Sequence, residues 1–264
     1  MPKLDKTLSR LIPPGRIRET LKSAYYRFYY NKKHSGKNGF RMYYPDRYYE
    51  FVFPNGVRFK CYENIADDLQ RSLPGYLFGY DIKKGDTVID CGAYIGEFTL
   101  YAAMAVGETG RVMAFEPDPA FFKKLQDNVS LNGLHNVILI EKGVWSKEDR
   151  LKFSGGSQSG NLFAENLSHN TESYDISVTS LDGELEKRGI TNVDFIKMDV
   201  EGAEIEAVRG ASSILEKSGP DLAIASYHIL NGQKTCVELE KMLKALGYKT
   251  ETSHPSHLTT YARK

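Results

Sequence analysis

The stretch that most constrains this chain runs over residues 85–99 and reads GDTVIDCGAYIGEFT. Its β-branched run at 87–89 predicts a buried strand, and Asp90 stands at the end of that run. Gly92 and Gly96 then bracket a tight turn before a helical pattern begins. A strand that passes through glycines into a helix brings bare backbone N–H groups close to a ligand. The stretch therefore predicts a ligand-binding strand–loop–helix unit.

Beyond residue 85, strand patterns alternate with helix patterns, as in a mostly parallel sheet covered on both faces. The predicted strands are 87–90, 111–116, 137–141, 193–199 and 222–227, with a closing antiparallel pair at 248–253 and 258–262. The predicted helices are 95–106, 119–132, 181–188, 203 to about 215, and 236–246. Further strands near 150–153 and 176–179 flank a polar stretch at 154–173, for which we expect a mobile loop.

The front of the chain has a different composition. Residues 1–44 carry eleven Lys and Arg against two acidic residues, a net charge of +9, so the remainder carries −8 because the whole chain is +1. Eleven of the seventeen tyrosines precede residue 81. The predicted elements there are a helix at 17–30, a β-hairpin at 47–62 that turns at Pro54-Asn55-Gly56, a short helix at 65–71 and a link at 73–80. We predict a basic, Tyr-rich extension at 1–80 and a main domain at 81–264.

The basic segment has two interpretations. It packs as a helix on the main domain with its Lys and Arg in water, or it meets an anionic partner such as a phospholipid face, a phosphorylated substrate or nucleic acid. The charge pattern alone does not choose between them.

The cysteines and the hydropathy pattern favour a cytoplasmic location. No apolar run approaches the ~18–20 residues that span a bilayer, and no secretory signal pattern opens the chain. Cys61, Cys91 and Cys236 are odd in number and far apart, which argues against a disulfide framework or a zinc site.

The acidic residue after the second predicted strand indicates the kind of ligand. Glu116 follows Gly96 by 20 residues, the distance expected between a glycine loop and a carboxylate that binds ribose hydroxyls. Asp118 precedes Pro119 and is suited to cap the next helix, which leaves Glu116 for the ligand. The loop lacks the third glycine of a dinucleotide fingerprint. We therefore expect a ribose-bearing ligand with a cationic or amino-acid group near Asp90.

These motifs resemble the class I S-adenosylmethionine-dependent methyltransferases, in which Asp-x-Gly-x-x-x-Gly follows the first strand. With AFEPDP at 114–119, TSLD at 179–182 and DFIKMDVEGAE at 194–204, the chain resembles the FkbM family of methyltransferases over about 85–250. The resemblance implies a Rossmann-like α/β fold with a seven-stranded, mostly parallel sheet and an antiparallel closing strand. Tyr94 stands where an Asn is common in that family.

The resemblance also implies S-adenosyl-L-methionine as the cofactor. The residues it implies for cofactor binding are Asp90, Gly92, Ala93, Tyr94 and Gly96 at the methionine half, Thr99 at its carboxylate, Glu116 at the ribose, Pro117 and Asp118 at the adenine edge, Gly143 and Val144 against the adenine, and Asp199 near the methyl group.

The candidate catalytic residues are His228, Asp199 and Glu201. His228 follows an apolar strand, and a pKa of about 6.5 suits an imidazole for proton removal near neutrality. Glu201 and Glu204 have a second interpretation, that they only favour the positive end of a helix. Asp199, Glu201 and His228 are able to ligate a metal ion, but they lie on separate elements and we expect none. We expect His254 and His257 to be solvated or structural.

The predicted function is O-methylation of a sugar, glycan or other small hydroxyl compound. The alternatives are an RNA methyltransferase, suggested by the basic front segment, and a non-catalytic module that binds a membrane surface. Nucleic acid is the less expected partner because the main domain is acidic and no Asn-Pro-Pro-Tyr-like block follows the fourth predicted strand.

Overall fold

The structure is a computed structural model that describes residues 12–13, 15–34, 39–154, 173–230, 232–253 and 257–264. Most of the loop predicted at 154–173, and His254, lie outside these described residues.

The front of the chain forms a helical segment followed by a small antiparallel sheet. Its elements are α1 (Arg16–Ala24), a π-helix (Tyr25–Tyr30), α2 (Asn31–His34), β1 (Arg41–Tyr43), β2 (Tyr49–Val52), β3 (Arg58–Cys61), α3 (Ala66–Arg71) and α4 (Leu73–Tyr76). β2 and β3 pair as the predicted hairpin, and β1 extends it to three strands. β1 was not expected from the sequence, and the link expected at 73–80 contains α4. Tyr26 and Tyr30 are buried, so one side of the helical segment packs on the protein.

The rest of the chain supplies the main sheet and its covering helices. The elements are β4 (Thr87–Cys91), α5 (Glu97–Val106), β5 (Arg111–Phe115), α6 (Pro119–Leu131), β6 (Val137–Ile140), β7 (Gly143–Val144), β8 (Asp149–Ser154), β9 (Ser173–Thr179), α7 (Leu181–Lys187), β10 (Phe195–Met198), α8 (Glu204–Arg209), α9 (Ser212–Lys217), β11 (Asp221–Ala225), β12 (Ile229–Leu230), β13 (Gln233–Lys234), α10 (Thr235–Ala245), β14 (Lys249–Ser253) and β15 (Thr259–Arg263).

The main sheet has seven strands in the order β14-β15-β11-β10-β4-β5-β6. β11, β10, β4, β5 and β6 are parallel, and β15 and β14 close the sheet with antiparallel pairs. The Rossmann-like class I methyltransferase fold expected from the sequence is confirmed. β7, β8 and β9 form a separate three-stranded sheet.

Alternate residues of the central strands enter two hydrophobic clusters. Val88 packs with the buried residues of α5, whereas Ile89 packs with those of α7, α8 and α10. Phe51 and Phe59 of the front sheet belong to the same cluster as Val88. The front segment therefore shares a core with the main domain, and the boundary at residue 80 stays a prediction.

Two asparagines of the α6 region bind the outer edge of the front sheet. The Asn132 side chain accepts the Lys60 N–H and donates to the Lys60 carbonyl oxygen, both at 2.7 Å. Asn128 Oδ1 accepts the Tyr62 N–H at 3.0 Å. Because each amide pairs with main-chain groups as a neighbouring strand would, α6 holds β3 in place without a further strand.

The helix predicted from 203 to about 215 is wrong in one respect, since it is interrupted at Gly210. A Cβ built on Gly210 would lie 2.1 Å from the Trp145 carbonyl oxygen, so the chain passes too close to this backbone for a side chain. The Asp182 carboxylate accepts the N–H groups of Ser213 and Ile214 at 2.8 and 2.9 Å. These bonds start α9 as a separate helix.

Within the described ranges, no helix is both long enough and apolar enough to cross a membrane. Cys61, Cys91 and Cys236 are free thiols. The cytoplasmic location stays a prediction.

Candidate functional site

The site forms where the strand order of the main sheet reverses. The chain proceeds from β4 to β5 and β6 on one side and later returns to β10 and β11 on the other. Ligands of open α/β sheets bind beyond the carboxyl ends of strands at such a point. Gly92 follows β4 there and Asp199 follows β10. Gly92 has φ +78°, and a Cβ at this position would lie 1.8 Å from the Asp199 carbonyl oxygen, so only glycine fits.

A cavity of about 480 Å³ opens at this point. The predicted site residues that line it are Gly92, Tyr94, Glu116, Pro117, Gly143, Val144, Asp199 and Glu201. The predicted site residues outside its lining are Asp90, Ala93, Gly96, Thr99, Asp118 and His228. Lining residues that were not among the predicted site residues include Tyr76, Glu97, Lys197, Tyr227 and Lys234.

Glu116 is fixed by the main chain on both sides. Its Oε2 accepts the Tyr94 N–H at 2.7 Å, and its Oε1 accepts the Asp118 N–H at 2.9 Å. Burial raises the pKa of Glu116 to about 7, and the two backbone N–H groups oppose that rise. The carboxylate therefore faces the cavity in one orientation, with a lone pair of each oxygen still available to hydroxyl donors.

The Asp118 side chain caps α6, as predicted, and this accounts for its place outside the cavity. Oδ1 accepts the N–H groups of Ala120 and Phe121 at 2.8 and 3.2 Å, and Oδ2 accepts the Tyr174 hydroxyl at 2.7 Å. Its carboxylate is thus engaged by α6 and β9, and the expected place of Asp118 at the adenine edge stays a prediction. Tyr94 keeps the loop turned with φ +52°.

Asp90 is completely buried, contrary to the expected contact with the cationic end of a ligand. Its Oδ1 lies 2.9 Å from Lys197 Nζ, and its Oδ2 accepts the Thr99 hydroxyl at 2.6 Å. Thr99 is also completely buried, so this hydroxyl is committed to Asp90 and not to a ligand carboxylate. Lys197 Nζ also donates to the Gly92 carbonyl oxygen at 2.7 Å. Asp90 and Thr99 therefore hold Lys197 in the position from which it binds the glycine loop.

Lys197 is the component of the site that sequence analysis missed most clearly. It is 3% exposed and pairs with Asp90 across the register of β10 and β4. Burial opposes its charge, but Asp90, Asp199 and Glu97 outweigh burial and raise the pKa of Lys197 above its ordinary value. The signal was a lysine in the apolar strand FIKM and an aspartate in the apolar strand TVIDC, opposite charges in strands that pair.

Glu97 supplies a carboxyl group to the cavity from the first turn of α5. Its Oε2 is buried and has no hydrogen-bond partner among the described residues. Burial raises the pKa of Glu97 to about 8, and Lys197 opposes that rise. A buried carboxyl oxygen without a partner is costly, which indicates that a cationic or donor group of a ligand belongs beside it.

Asp199 stands between two tyrosines and a histidine. Its Oδ2 accepts the Tyr76 hydroxyl at 2.6 Å and lies 3.6 Å from His257 Nε2, while its Oδ1 lies 3.4 Å from the Tyr227 hydroxyl. Burial opposes ionisation, but His257 and Lys197 outweigh it and hold the pKa of Asp199 below its ordinary range. His257 lines the cavity and is buried, so of the two expectations for this residue, solvated or structural, the first is wrong.

Glu201 lines the cavity from a strained turn. Its φ of +54° is one that non-glycine residues seldom adopt, and such strain gathers at functional sites. Burial raises the pKa of Glu201, and the hydrogen bond to His228 opposes the rise.

His228 does not line the cavity but contacts Glu201, which does. Its Nε2 lies 3.2 Å from Glu201 Oε2, and its Nδ1 lies 3.0 Å from Glu204 Oε1. Burial opposes protonation, but these two carboxylates outweigh it and raise the pKa of His228 to about 10. Both ring nitrogens face acids, and the raised pKa favours the protonated imidazole, which argues against the expectation that His228 removes a proton from a substrate.

Comparisons with known proteins bear on this site. Residues 90–250 match the sequence model of the methyltransferase FkbM domain. Methyltransferase 1 of Beauveria bassiana is 29% identical over 143 residues, which are 47% of this chain and 57% of that protein. The probable cobalt-precorrin-6B C(15)-methyltransferase (decarboxylating) of Saccharolobus solfataricus is 30% identical over 172 residues, 62% of this chain and 76% of that protein.

Among solved structures, a methyltransferase FkbM from Methylobacillus flagellatus superposes with a TM-score of 0.50 at 22% identity, over 67% of this chain and 43% of that one. The chain thus spans little more than half of the Beauveria protein and less than half of the Methylobacillus one. The family match, in contrast, extends over more than half of this chain of 264 residues and contains both the glycine loop and the Asp199–Glu204 segment. The resemblance seen in the sequence is confirmed, and the chain belongs to the FkbM methyltransferase family.

Proposed function

We propose that this protein transfers a methyl group from S-adenosylmethionine to a hydroxyl oxygen of a sugar, glycan or other small hydroxyl compound. The observation that carries the proposal is a single cavity with a fixed carboxylate, Glu116, on one wall and a pair of acids, Asp199 and Glu201, on another. The first wall suits a ribose and the second an acceptor hydroxyl.

The residues present fit the cofactor. Glu116 has two oxygens oriented by main-chain N–H groups, which suits them to accept both hydroxyls of a ribose. The unpartnered Oε2 of Glu97 is suited to bind the ammonium group of the methionine half. This contact had been expected of Asp90. Gly92 lines the cavity and lets the loop pass close to the Asp199 carbonyl oxygen. Asp90, Ala93, Gly96, Thr99 and Asp118 then act by shaping the loops and not by contact.

Bound S-adenosylmethionine supplies an electrophilic methyl group and a neutral thioether as leaving group. The chain's own residues bind the acceptor, orient its oxygen and remove its proton. We assign the proton to Glu201, the cavity carboxylate that His228 orients through Nε2. Asp199, fixed by Tyr76 and Tyr227, orients the acceptor, and much of the rate comes from this positioning.

The proposal is tested with methyl-labelled S-adenosylmethionine and pools of sugars, glycolipids and small hydroxyl compounds, with tRNA as a comparison. We expect label in an alkali-stable methyl ether of a hydroxyl acceptor. Glu201→Gln should lower turnover by about 10²–10⁴-fold, the usual contribution of a general base. Its affinity for S-adenosylmethionine should stay close to that of the wild type.

The matched control is Glu206→Gln in α8, whose partner is the exposed Arg209, and it should keep full turnover. Label in tRNA would favour the RNA alternative. Absence of cofactor binding in calorimetry would leave only the non-catalytic module. Full turnover of Glu201→Gln would remove the base assignment.

We also propose that the front segment brings the enzyme to an anionic membrane surface. Ile17, Leu21 and Phe28 are 73%, 43% and 67% exposed along one helical segment. The exposed basic residues of the same segment are Arg16, Arg27, Lys32 and Lys33. Apolar side chains beside Lys and Arg suit a headgroup region that carries negative charge.

Sedimentation with vesicles tests this contact. We expect the protein to bind phosphatidylglycerol vesicles and not phosphatidylcholine vesicles, and to dissociate in high salt. Ile17→Ser/Phe28→Ser should weaken binding by at least about tenfold because two apolar side chains lose their burial. Val237→Ser, at a 60% exposed position of α10, is the control and should bind as the wild type does. Equal binding to both kinds of vesicle, or no effect of the double variant, would contradict the proposal.

A further inference from the structure

Three side chains at the cavity wall converge on one point. Asp199 follows β10, Glu204 opens α8 and His228 follows β11, and each offers a ligand atom within 4.8 Å of the others. The methyl-transfer proposal uses Asp199 and, indirectly, His228, but it gives Glu204 no part.

Glu204 is the first sign of a missing ligand. It is fully buried, and its Oε1 accepts the N–H groups of Val200 and Gly202 at 3.3 and 3.1 Å. Its Oε2 is buried and has no hydrogen-bond partner among the described residues. Buried carboxylate oxygens are almost always paired, so this one calls for a cation or donor that the protein itself does not supply.

His228 is the second sign. Its Nε2 is positioned to donate to Glu201 Oε2 at 3.2 Å. Its Nδ1 is buried and lies at ion-pair distance from Glu204 Oε1, 3.0 Å away, but it makes no hydrogen bond of good geometry in the described part of the chain. Histidines that ligate metals through one ring nitrogen usually donate the other N–H to a carboxylate. Glu201 therefore has the position of the carboxylate that supports a metal-binding histidine. The atom of His228 left to bind the metal is Nδ1.

Asp199 completes the set. Its Oδ2 is committed to Tyr76, whereas its Oδ1 has only the long 3.4 Å contact with the Tyr227 hydroxyl. Asp199, Glu201 and Glu204 also bring three carboxyl groups into one small, partly buried region, and a divalent cation would balance their charge.

We propose that Asp199, Glu204 and His228 bind a divalent transition-metal ion at the wall of the cavity. Two carboxylates with one imidazole suit Mn²⁺ or Zn²⁺, whereas Mg²⁺ prefers oxygen ligands alone. Asp199 lines the cavity and the other two ligands do not, so the ion would stand beside the acceptor side of the site. The proposal replaces the expectation of no metal and does not depend on the methyl-transfer proposal.

The test is a titration of chelator-treated full-length protein with Mn²⁺, followed by the electron paramagnetic resonance signal of the free ion. We expect a single Mn²⁺ per chain, displaced by Zn²⁺ and not by equimolar Mg²⁺. Glu204→Gln and His228→Gln should each weaken binding at least about tenfold, since even residues that only support metal ligands contribute 10–100-fold.

The control is Glu206→Gln. Glu206 lies two residues from Glu204 in α8 and pairs with Arg209 outside the cluster, so this variant should bind Mn²⁺ as the wild type does. Circular dichroism shows whether each variant is folded, and Asp199→Asn replaces any variant that is not. Absence of bound Mn²⁺ and Zn²⁺ at millimolar concentration would overturn the proposal, and so would wild-type affinity in the folded ligand variants. Neither result depends on whether an acceptor has been found.

Discussion

Replacing Glu116 with alanine should weaken the binding of S-adenosylmethionine by at least about a hundredfold. Two hydroxyl groups donated to an ionised carboxylate contribute roughly 1.5–3 kcal/mol each, and each 1.4 kcal/mol is a factor of ten in affinity. The carboxylate is already oriented by Tyr94 and Asp118, so ligand binding costs it little ordering. Calorimetric titration measures the effect. Glu108→Ala, at an exposed position, is the control and should bind as the wild type does.

The same residue should make cofactor binding depend on pH. Burial raises the pKa of Glu116 to about 7 and that of Glu97 to about 8 in the protein without ligand. Hydroxyl donors at one carboxylate and an ammonium at the other favour the ionised forms, so binding lowers both pKa values and releases protons. Affinity should therefore rise between about pH 6 and pH 8. Titration in buffers of different ionisation enthalpy counts the protons, and Glu116→Gln should release fewer. Wild-type affinity in Glu116→Ala would exclude the ribose assignment.

Replacing Lys197 with methionine should lower the free energy of unfolding by roughly 3–5 kcal/mol. Asp90 would then remain as a buried carboxylate whose nearest cation, at 2.9 Å, is gone. The Gly92 carbonyl oxygen would lose its 2.7 Å bond to Nζ, so the glycine loop should also lose its fixed position. For a chain of this size the melting temperature should fall by about 10 °C.

Two comparison variants separate the effect of losing the Lys197 charge from the effect of changing its side chain. Asp90→Asn/Lys197→Met should recover part of the stability because no unpaired charge stays buried. Lys152→Met removes a 70% exposed lysine that lies 3.7 Å from Asp175, and it should leave the melting temperature nearly unchanged. An equally small effect at Lys197 would mean that the buried pair does not hold the loop.

Sequence patterns were sufficient for the parts of this protein that depend on local chemistry. The run at 87–89 predicted β4, the glycines predicted the turn, and Asp118 before Pro119 predicted the cap of α6. Each of these depends on the residue itself and its near neighbours. The alternation of strands and helices predicted that the strands of the main sheet are mostly parallel.

Partnerships between distant residues were harder to predict. Asp90 was expected at the ligand because it ends β4, but its partner Lys197 lies 107 positions later. His228 looked like an ordinary base because the carboxylates of Glu201 and Glu204 reach it only when the chain after β10 turns back. Position at a strand end therefore identified the right region, whereas burial and pairing decided which side chains face the cavity.

The asparagines at 128 and 132 have a consequence for how the protein assembles. The outer strand of a sheet exposes main-chain groups that can recruit a strand from another chain and begin aggregation. At Lys60 of β3, and at Tyr62 just after this strand, these groups are already engaged by the two amides. An approaching strand would have to displace α6 before it could add to the front sheet. The two asparagine side chains thus protect this edge of the front sheet from pairing with a strand of another chain.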